Sequence, residues 1–443
     1  MEKHNLVNLS DLVTQTISTG HTPSMKKDEF YGGSIKFIKT NNLRDNYIKP
    51  HFDHYLSQLG HDDIKRTQLR KDDIIVTIIG ATQKIVGRAT KIAENILPAN
   101  INQNIALIRV DRNKINPDFI NIYLNSYYGK QYLYYLSRQT EQVNLNCEEI
   151  GRVQVPIFSS NFQSQIEDLV ILSHQKLEDS KKLYQQAEEL LLKELDLLDF
   201  EPSKEQVSVK SFSESFGESG RLDSEYYQPK YDDIIQKVTS IKYDTLGNIV
   251  NILKSIEPGS EAYQDSGIPF LRVSNITKLG ISDPDIHLSK DIFDGNTLEK
   301  LLPKKDTILL SKDGTVGIAY NLKKDTNIIT SSALLHLTIK RDDVLPEYLT
   351  LVLNSIIVQM QSERDAGGSI IKHWKPSEIA EIIIPIIDKD IQAKIEEKIK
   401  ESFKLKEESK HLLEVAKRAV EIAIEDGEDV AMGFIKENTN ENN

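Results

Sequence analysis

The chain has 443 residues, a mass of 50.4 kDa and a formal net charge of −12, with 39% hydrophobic and 28% charged residues. Its length predicts two to four domains, and no apolar run approaches the roughly 18 residues that a membrane-spanning helix requires. The N-terminus lacks the apolar stretch of a signal peptide, and the single cysteine, Cys147, excludes an internal disulfide and a cysteine-cluster metal site. We therefore expect a soluble, cytoplasmic protein.

The first part of the chain predicts short strands followed by helices. β-branched runs between Gly, Asn and Asp residues predict strands within residues 35–38, 73–79 and 105–110. Asn116-Pro117-Asp118 then predicts the start of a short amphipathic helix, because proline is favoured at the first helical position. A long helix without internal Gly or Pro is predicted from about 161 to 198.

The same order of elements returns after a polar, Ser- and Glu-rich linker at 199–220. Strands are predicted within residues 268–273, 307–310 and 333–339, and Leu345-Pro346-Glu347 predicts a second short helix. A second long helix is predicted from about 389 to 425. The remaining residues are acidic and Asn-rich, so we expect a disordered tail.

The second half of the chain repeats the first, with one offset in the numbering over the later part of the repeat and a small shift at Gly80–Gly314 and Gly87–Gly317, where the first copy has extra loop residues. Pro117 corresponds to Pro346, Pro156 to Pro385, and the run 124–126 to the identical run 353–355. These matches share that offset without a gap, so a tandem duplication of a unit of about 200 residues is the simplest explanation.

Each long helix carries a narrow stripe of apolar or small residues at steps of three and four, and its other positions are rich in Glu and Lys. This pattern is typical of a coiled coil and predicts that the two helices pack on each other. The alternative is two separate surface helices, each docked on its own domain. The residues predicted to pack against the partner helix are Ile166, Leu169, Leu177, Tyr184, Leu191, Ile395, Ile399, Phe403, Leu413 and Val420.

Motifs for catalysis and for metal binding are not convincing anywhere in the sequence. Asn116-Pro117-Asp118-Phe119 is similar to the loop that holds the target amine in amino-methyltransferases, but the second proline of that loop is missing and the repeat partner has no Asn. We therefore interpret it as a helix start. His51 and His54, the closest useful histidine pair, are expected to be solvated. The sequence predicts a binding protein with no catalytic residue and no metal site.

Two similar domains separated by long helices suit a ligand with a long repeating axis, such as double-stranded DNA. Cationic and amide side chains at loop tips are the groups that read base edges, since Arg and Lys pair with guanine and Asn and Gln with adenine. The candidates in the first half are Lys39, Asn41, Asn42, Arg44, Thr82, Gln83, Lys84 and Arg88. Those in the second half are Arg272, Ser274, Asn275, Lys312, Thr315, Lys372, His373 and Lys375.

The residues also resemble a known family, the specificity (S) subunits of type I restriction-modification systems. The motifs that carry this resemblance in the first half are Gly20-His21-Thr22-Pro23-Ser24, 35–40, 72–77, Asn102-Gln103, 117–120 and Val155-Pro156-Ile157. In the second half they are 221–231, 267–273 and 345–349. By this resemblance, Thr22 and Ser24 join the DNA-binding candidates.

The resemblance implies an α+β fold with an internal pseudo-twofold repeat, in which two tandem α/β target-recognition domains are joined by two long antiparallel coiled-coil helices. The expected segments are target-recognition domain 1 (1–158), spacer helix 1 (159–200), a linker and entry to the second repeat (201–245), target-recognition domain 2 (246–387), spacer helix 2 (388–426) and the acidic tail (427–443).

The resemblance further implies a non-catalytic subunit that reads a bipartite, gapped DNA site. Its expected partners are two methyltransferase (M) subunits, which would bind S-adenosylmethionine and methylate adenine N6, and a motor-nuclease (R) subunit, which would use ATP and Mg²⁺. No cofactor is expected on this chain itself.

Three alternatives remain at this point. The chain could be the recognition subunit of a related system, such as a type IIB enzyme or another phage-defence methylation complex. It could be a self-contained methyltransferase or nuclease, which would bind S-adenosylmethionine or cut DNA alone. It could also be a coiled-coil scaffold that does not contact DNA.

Overall fold

The chain divides into two units, and each long helix contributes to both. The computed structural model describes residues 4–49, 51–80, 85–139, 143–205, 207–217, 219–293, 295–367 and 372–439. Unit 1 comprises Met1–Glu178 and Lys406–Asn443, and unit 2 comprises Asp179–Leu405. The unit boundaries therefore fall inside the long helices, because part of each long helix packs with each unit.

Unit 1 begins with short strands and ends in helices. Its strands are β1 (Leu6–Asn8), β2 (Ser18–Thr19), β3 (Tyr31–Ile38), β4 (Leu43–Arg44), β5 (Tyr47–Ile48), β6 (Tyr55–Leu56), β7 (Ile74–Thr77), β8 (Ile79–Gly80), β9 (Ala89–Lys91), β10 (Ala99–Ile101), β11 (Ile105–Ile108), β12 (Arg138–Gln139), β13 (Val143–Asn144) and β14 (Gln154–Pro156). Its helices are α1 (Gln58–Asp63), α2 (Pro117–Asn125), α3 (Tyr127–Leu136), α4 (Cys147–Gly151) and the first part of α5 (Ser160–Glu194).

A four-stranded sheet in the order β2-β11-β7-β9 forms the centre of unit 1. Its two middle strands, β7 and β11, are antiparallel and consist of buried residues, with Val76 opposite Ala106. A second sheet has three strands in the order β10-β3-β6. Strand β1 pairs with β14, which directly precedes α5 in the chain. The continuous β-branched runs that predicted these strands are therefore explained by burial on both faces.

Unit 2 contains a similar series. Its strands are β15 (Tyr243–Thr245), β16 (Val250–Lys254), β17 (Tyr263–Gln264), β18 (Ile268–Leu271), β19 (Ile276–Thr277), β20 (Gly280–Ile281), β21 (His287–Leu288), β22 (Ile308–Ser311), β23 (Ala319–Asn321), β24 (Ile329–Thr330), β25 (Leu334–Ile339) and β26 (Ile383–Pro385). Its helices are α6 (Pro229–Thr239), α7 (Leu246–Ile249), α8 (Gly295–Leu301), α9 (Pro346–Asn354), α10 (Ile356–Asp365), α11 (Pro376–Ala380) and the first part of α12 (Lys389–Glu425). A last helix, α13 (Glu428–Thr439), returns to unit 1.

Several elements occur in the same order in both units, and some of them keep the offset found in the sequence. The central sheet of unit 2 has the order β16-β25-β22-β23, which matches the central sheet of unit 1. Helices α2 and α9 are both nine residues long and start at the corresponding prolines, Pro117 and Pro346. Individual hydrogen bonds recur as well. Gln163 accepts from Asn116 N at 2.9 Å, and Gln392 accepts from Leu345 N at 3.0 Å.

The long helices α5 and α12 pack together in each unit. In unit 1, Ser173 Oγ lies 3.0 Å from Ser409 Oγ, and Lys176 forms an ion pair with Glu408 at 2.7 Å. In unit 2, Ser180 Oγ lies 3.2 Å from Ser402 Oγ. The contacts advance along α5 as they retreat along α12, so the helices run antiparallel within unit 1.

The residues predicted to pack along the two helices are mostly buried. Leu177, Phe403 and Leu413 are half-buried, and the buried ones are Ile166, Leu169, Tyr184, Leu191, Ile395, Ile399 and Val420. Small serine pairs occupy the seam between the apolar positions, and their hydroxyls hydrogen-bond across it.

The predicted disordered tail is wrong for the part that the structure describes. Residues Glu428–Thr439 form α13, in which Ala431 and Ile435 are buried in the core of unit 1. Glu428 accepts hydrogen bonds from the backbone N and from the hydroxyl of Ser159, immediately before α5. The acidic, Asn-rich composition predicted disorder, but two buried apolar residues are enough to pack this helix against unit 1. Among the described residues, no helix is long and apolar enough to cross a membrane.

We expect unit 2 to lose stability in mild acid because of His336, a buried residue of β25. Burial lowers the pKa of His336 to about 4, and its Nε2 lies 2.8 Å from Thr330 Oγ1. The unfolded chain binds the proton near pH 6.5, whereas the folded chain binds it only near pH 4. The free energy of unfolding is therefore unaffected above pH 6.5 and decreases as the pH falls toward 4, by about 3 kcal/mol at most. When the pH is lowered from 7 to 5, the melting temperature of His336→Gln should decrease less than that of the wild type. The exposed His411→Gln serves as control, and equal slopes in all three proteins would contradict the assignment.

Candidate functional site

A short hairpin in unit 1 presents cationic side chains at its tip. Strands β4 and β5 are joined by Asp45 and Asn46, and Asn46 has φ of 58°, a conformation that Asn tolerates better than most residues. The Asn46 side chain accepts hydrogen bonds from Asn121 Nδ2 at 2.6 Å and from Asn125 Nδ2 at 2.9 Å. The turn is thereby fixed to helix α2.

Arg44, Lys49 and Arg88 lie together at this hairpin, and we call them the cationic cluster. Arg44 donates to the Leu43 carbonyl at 2.6 Å, and Arg88 donates to the same carbonyl at 3.4 Å. Burial and the neighbouring charge of Arg88 lower the pKa of Arg44. Burial, together with both arginines, lowers the pKa of Lys49. Like charges held this close repel one another, so a polyanion placed here would relieve the repulsion.

Two further residues extend the cluster, and sequence reasoning missed them. Tyr47, 42% exposed, stands beside Arg44 on β5. Lys130 of α3 donates to Gly87 O at 2.8 Å and pairs with Asp45 at 2.6 Å. Neither residue lies in the polar loops from which the site was predicted. Lys130 could not be found from sequence because α3 and the hairpin come together only in the folded chain.

The loop before the hairpin is held by Asn42. Its Oδ1 accepts from Lys39 N at 2.9 Å and its Nδ2 donates to His51 O at 2.7 Å, and the side chain is buried. Asn42 therefore shapes the loop, while Asn41 is exposed and donates to Asp53 at 2.9 Å. Lys39 is half-buried.

The glycine loop at 20–24 has a close backbone contact. A Cβ on Gly20 would lie 1.9 Å from Ile101 O, so only glycine fits there. The Thr22 hydroxyl donates to Gln103 Oε1, and Ser24 is exposed. The candidates Thr82, Gln83 and Lys84 lie outside the described residues.

Unit 2 contains a loop corresponding to 39–42. Asn275 is buried, and its Oδ1 accepts from Arg272 N at 3.1 Å, as Asn42 accepts from Lys39. Arg272 and Ser274 are exposed. In both units the asparagine organises the loop and the preceding cation lies at its edge.

The other two candidate loops of unit 2 come together. Trp374 N donates to Lys312 O at 2.8 Å, and Gly314 N donates to Lys372 O at 2.9 Å. Asp313 lies between the Lys312 ammonium group and the His373 ring, with His373 Nδ1 at 2.8 Å. Burial opposes ionisation of Asp313, but hydrogen bonds from Lys312 and His373 outweigh it and lower its pKa.

The predicted residues of this pair of loops that are exposed are Thr315, Lys372, His373 and Lys375. Lys312 is only 9% exposed, because it is held by Asp313, and Lys375 pairs with Glu378 at 3.1 Å. The structure therefore brings 312–315 and 372–375 together through these backbone and side-chain contacts, with Lys372 exposed beside them.

The suspected catalytic motif forms a helix start, as predicted. Asn116 Oδ1 accepts from Asp118 N at 2.8 Å, and its Nδ2 donates to Glu167 at 2.7 Å. The amide is thus occupied in capping α2. Across the part of the chain that the structure describes, no group of His, Cys, Asp and Glu residues is arranged to hold a metal ion.

Comparison with known proteins gives matches to proteins of restriction-modification systems. Residues 241–416 match the family described as "Type I restriction modification DNA specificity domain". The type I restriction enzyme EcoBI specificity subunit of Escherichia coli is 29% identical over 132 residues. That match spans 30% of this chain and 27% of the relative, so about a quarter of the relative's length is covered.

Solved structures of similar proteins align along nearly the whole chain. The type I restriction-modification S subunit from M. genitalium is 13% identical, covers 99% of this chain and 97% of its own, and has a TM-score of 0.39. The HsdS subunit from Thermoanaerobacter tengcongensis is 14% identical, with coverages of 96% and 97% and a TM-score of 0.32.

Proposed function

We propose that this chain, whose residues 241–416 belong to the family of type I restriction modification DNA specificity domains, is the non-catalytic DNA-recognition subunit of a type I restriction-modification complex. The observation that carries the proposal is the recurrence of the matched domain's elements in unit 1. Helices α2 and α9, α4 and α11, and strands β14 and β26 are each related by the one offset that relates Pro117 to Pro346. Both halves are therefore assigned the same task.

Each unit would read one half of a bipartite DNA site. Support comes from the cationic cluster in unit 1 and from Arg272, Lys372 and His373 in unit 2, which are polar or cationic groups on loops. Phosphate contacts by such cations position a protein on DNA, and amides and arginines at base edges provide specificity. Two different loop sets would read two different half-sites.

The long helices would form an antiparallel coiled coil that fixes the gap between the half-sites, with the two units related by a pseudo-twofold axis. Support comes from the heptad spacing of the seam, in which Ser173 meets Ser409 and Ser180 meets Ser402. Two methyltransferase subunits and a motor-nuclease subunit would dock on this chain in the cytoplasm. S-adenosylmethionine, ATP and Mg²⁺ would bind to those partners. A related non-type-I assembly, such as a type IIB enzyme, would use the same module.

Removing the cations of unit 1 should weaken DNA binding by the complex in a salt-dependent way. Each phosphate contact contributes about 1 to the slope of log affinity against log salt concentration, so Arg44→Ala and Arg88→Ala should each reduce that slope by about 1. Fluorescence anisotropy at several salt concentrations measures it.

The matched control is Arg152→Ala, which removes an exposed arginine that is paired with Glu148 in the same unit. Its slope should equal that of the wild type. Unchanged slopes for both cluster variants would overturn the assignment of this surface, and a wild-type complex without measurable DNA binding would overturn the proposed function.

A further inference from the structure

Helix α3 of unit 1 and helix α10 of unit 2 occupy equivalent places. Both are ten residues long, and their first residues, Tyr127 and Ile356, correspond in the repeat. Lys130 donates to Gly87 O at 2.8 Å, and the corresponding Gln359 donates to Gly317 O at 2.8 Å. Each helix therefore docks on its own domain in the same way.

The outer face of α10 is covered by residues 221–239 of this chain. Arg221 donates to Asp365 O at 3.1 Å, Lys230 pairs with Glu363 at 2.9 Å, and the Arg364 guanidinium lies 5.2 Å from the Tyr226 ring. Helix α6 adds Tyr231, Ile234 and Val238 to the same hydrophobic core. As a result, most of α10 is buried, namely Ile357, Val358, Met360, Gln361, Ser362 and Asp365.

Helix α3 is far more exposed, although its sequence is rich in aromatic residues. Gly129 and Leu133 are its buried residues, whereas Tyr127 is 61% exposed and Tyr135 is 82% exposed. Tyr135 corresponds to Arg364, which the cover contacts in unit 2. Tyr127, Tyr128, Tyr132 and Tyr135 form what we call the tyrosine face. Its rings meet edge to face in two pairs, with centroids 5.5 and 6.4 Å apart.

Carboxylates at one end of the tyrosine face favour a protein partner over DNA. Glu421 accepts from Tyr127 N at 2.7 Å, and Glu425 accepts from the Tyr128 hydroxyl at 3.1 Å. Arg418 pairs with both, so these three groups sum to one negative charge. A phosphate backbone would be repelled there, while a cation would be attracted. Exposed tyrosines are enriched at protein interfaces because they bury a large area with little loss of side-chain entropy.

We propose that the tyrosine face docks a helical segment of the methyltransferase partner that presents apolar side chains and at least one Arg or Lys, as residues 221–239 do on α10. This inference rests on the proposed function, which supplies that partner. A second copy of this chain is a poorer occupant, because its residues 221–239 already cover its own α10. The cation of the docked segment would lie toward Glu421 and Glu425.

The double variant Tyr127→Ala/Tyr135→Ala tests this surface. We expect the affinity of the chain for the methyltransferase subunit to fall at least about tenfold, which corresponds to about 1.4 kcal/mol. The control Tyr243→Ala removes another tyrosine, 46% exposed on β15, and should bind as the wild type does. Both substituted rings are exposed, so thermal unfolding of the variant should match the wild type. Wild-type affinity in the double variant would overturn the inference.

A photo-crosslinking amino acid in place of Tyr135 identifies the occupant directly. In the DNA-bound complex we expect a crosslink to a helical peptide of the methyltransferase. A crosslink to DNA, to a second copy of the chain or to no molecule would overturn the proposal. If the wild-type chain does not bind the methyltransferase at all, the proposed function fails, and this inference fails with it. If the wild-type chain binds the methyltransferase and the double variant binds it equally well, the tyrosine face is rejected as the docking surface while the proposed function stands.

Discussion

Removing seven residues from each long helix, 172–178 from α5 and 404–410 from α12, should shorten the gap in the methylated DNA motif by about three base pairs. Seven helical residues span about 10 Å at 1.5 Å each, and B-DNA rises about 3.4 Å per base pair. The deletions remove Ser173 with Ser409 and Lys176 with Glu408, so both partners of each contact are lost together.

The paired deletion keeps the seam in register because seven residues are two turns of a coiled coil. Ser180 and Ser402 remain opposite each other, and Ile166 and Ala416 take up the next seam position. Deleting 172–178 from α5 alone is the control. It shifts one helix against the other and should abolish methylation. Long-read methylation mapping measures the gap, and an unchanged gap in the paired deletion would show that the helices do not set the spacing.

Under the proposed function, exchange of residues 1–158 for the corresponding domain of a known type I specificity subunit should change one half of the methylated motif and leave the other half intact. Unit 1 has its own central sheet and hydrophobic core, so its loops can be replaced together. The reciprocal exchange of residues 246–387 should change only the other half. A change in both halves, or in neither, after either exchange would contradict independent reading by the two units.

The junction for the first exchange follows from contacts at the start of α5. Gln163 donates to Phe158 O at 2.9 Å and accepts from Asn116 N, so the donor domain must supply an equivalent helix start. The backbone N of Tyr127 donates to Glu421, and the Tyr128 hydroxyl donates to Glu425. A donor domain lacking the second tyrosine would lose its hydrogen bond to Glu425. A chimera that folds but does not bind the methyltransferase would indicate that the tyrosine face is needed for that contact.

Local sequence signals predicted the regular elements well because these elements depend on local chemistry. Pro117 and Pro346 mark the first turns of α2 and α9, and the β-branched runs form the buried strands β7, β11, β22 and β25. The heptad-like stripe predicted the contact between α5 and α12 because the spacing itself creates the apolar seam.

The candidate site was predicted less completely, because its groups converge only through tertiary contacts. Arg44 and Arg88 were predicted from separate loops, yet Lys49 and Lys130 join them without any local signal. Asn42 and Asn275 were predicted to contact DNA bases, and that stays a prediction; the structure shows that both are buried and hydrogen-bonded within their loops. Helix α13 was not predicted because its sequence is mostly polar and only two of its residues, Ala431 and Ile435, are buried.

The most direct test of the account is methylome sequencing of the host with and without this gene. We predict adenine N6 methylation at a motif of two defined half-sites separated by an undefined gap, present with the intact gene and lost on its deletion. Re-expression of the Arg44→Ala/Arg88→Ala variant should restore less methylation than re-expression of the wild type. Methylation that is unchanged by deletion, or that falls on one uninterrupted motif, would contradict the assignment of this chain as the subunit that reads a bipartite DNA site.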